Sequence, residues 1–305
     1  MFGVFQPYYE ITLLKDQSSS NISWVGAIQA FLLLVVGVVT GPLYDAGYFY
    51  VLVSTGSVLN VVGFMALSGC TEYWQVLLAQ AFCVGVSWFL RRIVPTQRYA
   101  RSPSSEAKAH FDRILCVQGG PVYAVLMAMF FGYIGFFNPI FYIEAYAIQK
   151  HAMEETLAFY LVSILNAASI PGRIVPGLLG LRFGPLNILL GSAIISGILS
   201  LSWIAVSNAG GLIALAVLYG FFSGAFVSLP AVALTTLTPN LQTLGTRMGM
   251  CSLLCGFGSL CGAPVAGAIL DDTRSYLGVQ LYSGLTVGTT GVLLFFASLL
   301  KGRTN

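Results

Sequence analysis

A chain of 305 residues that is 57% apolar and 8% charged, with a mean hydropathy of +0.83, carries more apolar side chain than a soluble core of that length buries. The class is a polytopic integral membrane protein, which excludes a soluble enzyme or nucleic-acid binder. The net charge of +3 is small, so the placement of the charges says more than their sum.

In chain order, residues 1–21 are a short lead. It opens MFGVFQPYYE, without a basic region or a long apolar core, so no cleavable signal peptide is expected. It closes in the polar turn DQSSSN, where Asn21-Ile22-Ser23 is the sole glycosylation sequon, a weak acceptor so near a span. Apolar runs near the ~20 residues that a helix needs to cross the hydrocarbon core follow at 22–43, 48–67 and 73–90. The polar stretch 91–113 then carries Arg91, Arg92, Arg98, Arg101, Lys108 and Arg113. Further apolar runs lie at 119–142, 157–181, 185–206, 211–234, 248–270 and 276–300, which makes about nine spans in all. The expected organisation is an external lead over 1–21, an incomplete N-terminal bundle over 22–90, and a basic cytoplasmic loop over 91–118. A C-terminal six-helix bundle over 119–300 and a cytoplasmic tail over 301–305 complete it.

The positive-inside rule orients the spans. With the 91–113 loop in the cytoplasm, alternation also places Arg182, Arg247, Lys301 and Arg303 inside, ten of the 14 basic residues. Lys15, Lys150 and Arg274 fall outside, each near an acidic residue. The N-terminus is therefore expected outside and the C-terminus inside.

The remaining basic residue, Arg173, lies within the run 157–181, roughly 12 Å from its cytoplasmic end at 1.5 Å per residue. A guanidinium at membrane depth costs from about 2.5 kcal/mol upward, so such residues face a bundle interior or a watery path. A long side chain near a helix end can instead snorkel to the headgroups, but Arg173 stands deep for that. Pro171 and Pro176 flank it, and backbone carbonyls freed by proline at this depth need protein or water partners. Gln29, Asn138, Tyr142 and Asn166 are further polar residues within runs. For each, hydrogen bonding between helices is at least as good a reading as substrate contact.

Gly256, Gly258, Gly262 and Gly267, with Pro264, give one run a small-residue face suited to close helix packing. The 6 cysteines show no paired spacing and read as small apolar residues. His110 and His151 fall in loops, and neither a metalloprotease, a hydrolase nor a phosphate-loop motif is present. No catalytic residue, metal site or cofactor is expected. The basic loop fits topology and attraction to anionic lipid better than nucleic acid.

An internal echo appears in the turns Gly41-Pro-Leu-Tyr-Asp45-Ala-Gly47 and Gly177-Leu-Leu-Gly-Leu181-Arg182-Phe-Gly184. Both read G-x-L, then a charge-bearing turn and a glycine, as two parallel halves of one transporter would. These turns resemble the signature of the major facilitator superfamily. The chain more closely resembles the fungal branch of the monocarboxylate porter family. The matching runs are GVFQPYYE (3–10), SWVGAIQAFLLLVVGVVTGPLYDAGYF (23–49), EYWQVLLAQAFCVG (72–85), NPIFYIEAYA (138–147), NAASIPGRIVPG (166–177), RFGPLN (182–187), GTRMGM (245–250) and GSLCGAPVAGAILD (258–271).

The resemblance implies an all-α membrane protein, a major-facilitator-type helical bundle with the second half complete and the first incomplete. The family's first span is represented only by its exit, within 1–21, and the likeness breaks after Gly85. Each signature turn is incomplete, with Ala46 after Asp45 in one half and Leu181 before Arg182 in the other. The resemblance further implies that Arg173 matches an arginine that pairs with a substrate carboxylate, a role suited to a fixed charge with a fork of donors. Ser169 stands where characterised animal members carry a proton-coupling aspartate, and no lysine occurs in 1–10.

The expected function is movement of a small organic anion or fungal metabolite across a membrane, with a coupling proton as a further partner. Arg173, Asn138, Tyr142, Asn166 and Gln29 are the expected substrate contacts. Asp45, Arg182 and Arg247 are the expected gating residues, Asp45 docking on the helix start at 246–249 or on Arg247. The plasma membrane is preferred over a vacuolar or other internal one. The alternative is a truncated remnant or binding subunit that folds in the bilayer without transporting.

Overall fold

The computed structural model describes residues 9, 13, 17–45, 49–85, 120–150, 153–238 and 244–304, and every regular element among them is helical. In order these are α1 (Ser19–Asp45), α2 (Phe49–Ser68) and α3 (Tyr73–Val76), which continues as a π-helical stretch over Leu77–Val84. Then come α4 (Gly120–Phe136), α5 (Asn138–Gln149), α6 (Glu155–Phe183) and α7 (Pro185–Ser202). The series ends with α8 (Ala209–Thr236), α9 (Leu244–Thr273) and α10 (Tyr276–Thr304). Among the described residues 7 apolar stretches are long enough to cross a bilayer, with Val53–Ser68 and Tyr73–Val84 as shorter apolar helices. As far as they are described, the expected spans thus fall on helices. The 91–113 loop, His110 and His151 lie outside the described residues.

Helix starts follow local chemistry. The Ser18 hydroxyl accepts from the Asn21 amide at 3.2 Å, and the Asn208 carboxamide oxygen accepts from Gly211 at 2.8 Å, each occupying one of the orphan donors of a first turn. Gly184, with φ of +85°, turns the chain tightly between α6 and Pro185, the first residue of α7. One boundary differs from the sequence reading. The run expected to end at Tyr142 stays helical to Gln149, but with a break at Phe137.

In the second half α6 lies along α8, α4 is sandwiched by α9 and α10, and α7 bridges α8 and α10. The α6–α8 contact is backbone on backbone. A Cβ on Gly172 would strike the Phe221 carbonyl, and one on Gly220 the Leu165 carbonyl. The glycine face of α9 works on two sides. Gly258 and Gly262 accept the Phe130 and Ile134 carbonyls of α4, while Gly256 and Gly267 accept Val35 and Ser20 of α1. Without those glycines the helices could not approach so closely.

The first part is arranged differently. α1 packs chiefly on α9, with the Phe31 and Phe257 rings 5.3 Å apart, and only sparsely on α2. At its start the Asp271 carboxylate of α9 accepts the Ser19 and Ser20 amides at 3.1 and 3.0 Å, an acid placed on a positive helix end. α2 touches mainly the π-helical stretch after α3, leaving Val58, Val61, Val62 and Met65 exposed to the surroundings.

Candidate functional site

The break between α4 and α5 lies within the spanning stretch Gly120–Gln149. Pro139, which lacks an N–H, cannot bond the Gly135 carbonyl four residues earlier, and freed carbonyls at membrane depth must find other donors. Three side chains supply them. Asn138 Nδ2 donates to the Ile134 carbonyl at 3.3 Å, Ser283 of α10 to that of Gly135 at 2.8 Å, and Tyr219 of α8 to that of Phe136 at 2.9 Å. Ser200 of α7 donates to Ser283 at 3.0 Å, so four helices converge on the break. Phe136 stacks on Phe226 at 5.5 Å and Phe137 on Phe141 at 5.5 Å, sealing it in aromatic packing.

Asn138 and Tyr142 are both fully buried here. The Tyr142 hydroxyl bonds the Ser23 hydroxyl of α1 and donates to the Ala263 carbonyl of α9 at 3.4 Å, linking the first part of the chain to the second half. Asn138 Oδ1 and Gln29 Oε1 are sealed acceptors with no hydrogen-bond partner among the described residues. Gln29 stands on α1 where a Cβ on Gly85 would come within 3.3 Å of its backbone.

Arg173 and Asn166 occupy a second locus on α6. Leu165, Ser169, Gly172 and Pro176 form the face buried against α8, and Arg173 and Asn166, seven residues apart, lie in register on one flank of it. Both are exposed, and Asn166 Nδ2 donates back to the Val162 carbonyl at 2.8 Å. No hydrogen bond or ion pair to Arg173 occurs among the described residues. α6 is continuous through Pro171 and Pro176. No hydrogen bond among the described residues connects this pair with Gln29, Asn138 or Tyr142. The structure therefore brings Asn166 and Arg173 together on α6 and ties Tyr142 to α1 and α9 elsewhere.

At the end of the bundle where α6 closes, Arg182 is exposed and its guanidinium lies 5.7 Å from the Phe183 ring centre. Arg247 Nη1 donates to the Leu237 carbonyl at 3.2 Å and to the Thr238 hydroxyl at 3.1 Å, a cation capping the C-terminal end of α8. The Asp45 side chain lies outside the described residues, and its expected docking with it. Asn21 is exposed in the first turn of α1 and donates to Gln17 Oε1 at 3.1 Å.

Sequence reading missed Glu144. With the run ended at Tyr142 this residue counts as loop, whereas in the structure it sits on α5 and is 3% exposed, with Oε2 sealed and without a partner among the described residues. A signal was present: it is an acid six residues into a long matching run, NPIFYIEAYA, with apolar neighbours on both sides. At the same end of the bundle two neighbouring cavities open. One, of about 490 Å³, is lined by Ser19, Ala145, Ile148, Asp271 and Arg274 among others. The other, of about 370 Å³, includes Lys150, Arg274, Ser275 and Gln280.

No protein-family profile matches the chain. It is 34% identical over 359 aligned positions to the MFS-type transporter dbaD of Emericella nidulans, covering 97% of this chain and 81% of that protein. It is 30% identical to the agnestins efflux protein AgnL12 of Paecilomyces divaricatus, covering 98% and 82%, and 29% identical to the aspyridones efflux protein apdF of Emericella nidulans, covering 98% and 74%. The aligned positions outnumber the 305 residues here, so these relatives carry stretches with no counterpart in this chain. Among solved structures, a variant of the nucleoside transporter NupG superposes with a TM-score of 0.70 at 12% identity, covering 98% of this chain and 94% of that one. The Escherichia coli fucose:proton symporter FucP superposes with a TM-score of 0.55 at 14% identity, covering 97% and 87%.

Proposed function

Because this chain belongs to the major facilitator superfamily and is a multi-pass membrane transporter of that family, we propose that it exports a small organic anion, a fungal secondary metabolite of monocarboxylate-porter type. The working membrane is the plasma membrane. Two of its relatives are named as efflux proteins, one for aspyridones and one for agnestins, which supports the direction.

The observation that carries the anion is Arg173. It is the one basic side chain within the run 157–181, it stands exposed beside Asn166, and no partner neutralises it among the described residues. Lipid would penalise a guanidinium at this depth, so the flank that bears it borders water. A planar fork of donors then holds a carboxylate bidentately, with Asn166 as a neutral partner two turns away. Arg182 and Arg247 sit at the opposite end of the helices from the two cavities and act as the closing elements there. Tyr142, Asn138 and Gln29 support the α1–α5–α9 junction and the helix break, against which the path is formed.

The test is deletion of the gene in its source organism, with mass spectrometry of medium and cell extract. Loss of an acidic metabolite from the medium and its retention in cells, restored by the wild type but not by Arg173→Ala at equal membrane abundance, is expected. An unchanged medium, or full rescue by Arg173→Ala, contradicts the assignment.

A non-transporting remnant is the second reading, favoured by the stretches that the relatives have and this chain lacks, and by the exposed side of α2. Transcript sequence across codons 85–115 decides: further span-coding sequence there removes this reading, and an intact deletion strain with normal export sustains it.

A further inference from the structure

Glu144 is an acid in the wrong solvent. It lies inside the spanning stretch Gly120–Gln149, is 3% exposed, and has no hydrogen bond or ion pair to either carboxyl oxygen among the described residues. A carboxylate so placed would be an uncompensated charge in a low-dielectric medium, whereas the neutral acid is tolerated.

None of the described ionisable side chains on the surrounding helices bonds Glu144. On α9 the Asp271 carboxylate accepts the Ser19 and Ser20 amides. On α5 itself Tyr142 bonds Ser23 and Tyr146 donates to the Val206 carbonyl, and on α8 Tyr219 donates to the Phe136 carbonyl. Arg274 follows α9, Tyr276 and Tyr282 stand on α10, Glu154 and Tyr160 on or beside α6, Tyr133 on α4 and Lys150 at the end of α5, and none of them bonds Glu144.

An exit for the proton is close. Ile148, one turn above Glu144 on the same helix face, and Ala145 beside it both line the cavity of about 490 Å³. The wall of that cavity also holds Asp271 and Arg274, a carboxylate and a guanidinium that keep water there. Toward the break, Asn138 Oδ1 is a further sealed acceptor with no donor among the described residues, about 9 Å along the axis from Glu144.

We propose that Glu144 is the proton-carrying group of this transporter, exchanging its proton with water in the cavity walled by Ala145, Ile148, Asp271 and Arg274. The step is a simple proton transfer. The O–H bond of the carboxylic acid breaks, a water in the cavity takes the proton, and the carboxylate stays on α5 until it is reprotonated. Glu144 is buried and does not itself line that cavity, so loading is tied to a change in conformation. This inference rests on the transporter reading above.

The experiment is infrared difference spectroscopy of the full chain in phosphatidylcholine vesicles through a pH step, in H2O and in D2O, for the wild type and Glu144→Gln. The wild type is expected to show a protonated-acid carbonyl band at neutral pH that shifts in D2O and is lost at high pH, and Glu144→Gln is expected to lack it. The same spectrum in both proteins, or no such band in the wild type, overturns the proposal. Glu144→Gln is near-isosteric, and its elution as a single folded species is checked alongside. In the deletion-strain assay, wild-type export should change with external pH and Glu144→Gln export should not. Export by the wild type that ignores external pH overturns the carrier role. A missing band with intact Arg173-dependent export defeats this inference alone, whereas a Glu144-dependent band with no export defeats the transport reading and leaves the proton site standing.

Discussion

The second half and the first part of this molecule are held by different physics. In the second half, α6 meets α8 and α4 meets α9 through glycines whose missing Cβ lets one backbone rest on another, and the freed carbonyls of the α4–α5 break are met by Ser283 and Tyr219 from distant helices. In the first part, α2 leans on the π-helical stretch after α3 and little else, while α1 belongs by contact to α9. A bilayer offers no hydrophobic drive for helices to associate, so close packing and interhelical hydrogen bonds decide which helices stay together. By that measure α1 is part of the second half, and α2 and α3 hang from it.

The largest expected effect is in the glycine-locked region. Gly172→Leu forces a side chain into the Phe221 backbone, and overpacking of this kind costs about 3 kcal/mol or more. Size-exclusion chromatography after a heating series should lose the monodisperse species far below the wild-type temperature, and an unchanged melting profile would show that α6 and α8 are not locked as described. Next is Ser283→Ala, which leaves the Gly135 carbonyl without its donor inside the span and should cost about 1 to 2 kcal/mol in the same assay. A neutral result there would mean that the break finds another donor. The smallest effect distinguishes the first part. Asp271→Asn weakens the charge-assisted hold on the amides of Ser19 and Ser20, at about 1 kcal/mol, and should increase proteolysis between residues 1 and 85 while the second half stays resistant. Uniform loss of both parts would erase the contrast.

Much of this architecture is legible in the sequence because membrane helices announce themselves one at a time, by apolar length. Arg173 is legible for the same reason, a charge within an apolar run. What stays hidden is relational. The span containing Asn138 ends at Tyr142 on hydropathy because Glu144 and the tyrosines beside it lower the local average, yet the helix runs on to Gln149 since its polar groups are buried against other helices. That same boundary hides Glu144. The partners of the break, Ser283 and Tyr219, lie more than eighty residues away in sequence, and no local pattern names them. The glycine face of α9 is visible in sequence as a packing surface, but not that it serves α4 on one side and α1 on the other. The gating role expected of Asp45 remains a proposal, its carboxylate lying outside the described side chains.

The central claim is that the flank of α6 bearing Arg173 borders a water-filled path, and cysteine accessibility tests it most directly. In a background with the 6 native cysteines replaced by serine, Arg173→Cys and, on the outward face of the same helix, Leu178→Cys are exposed in intact membranes to a charged, membrane-impermeant thiol reagent. The account predicts rapid modification at 173 and none at 178. Equal protection of both positions would place Arg173 against lipid and contradict it.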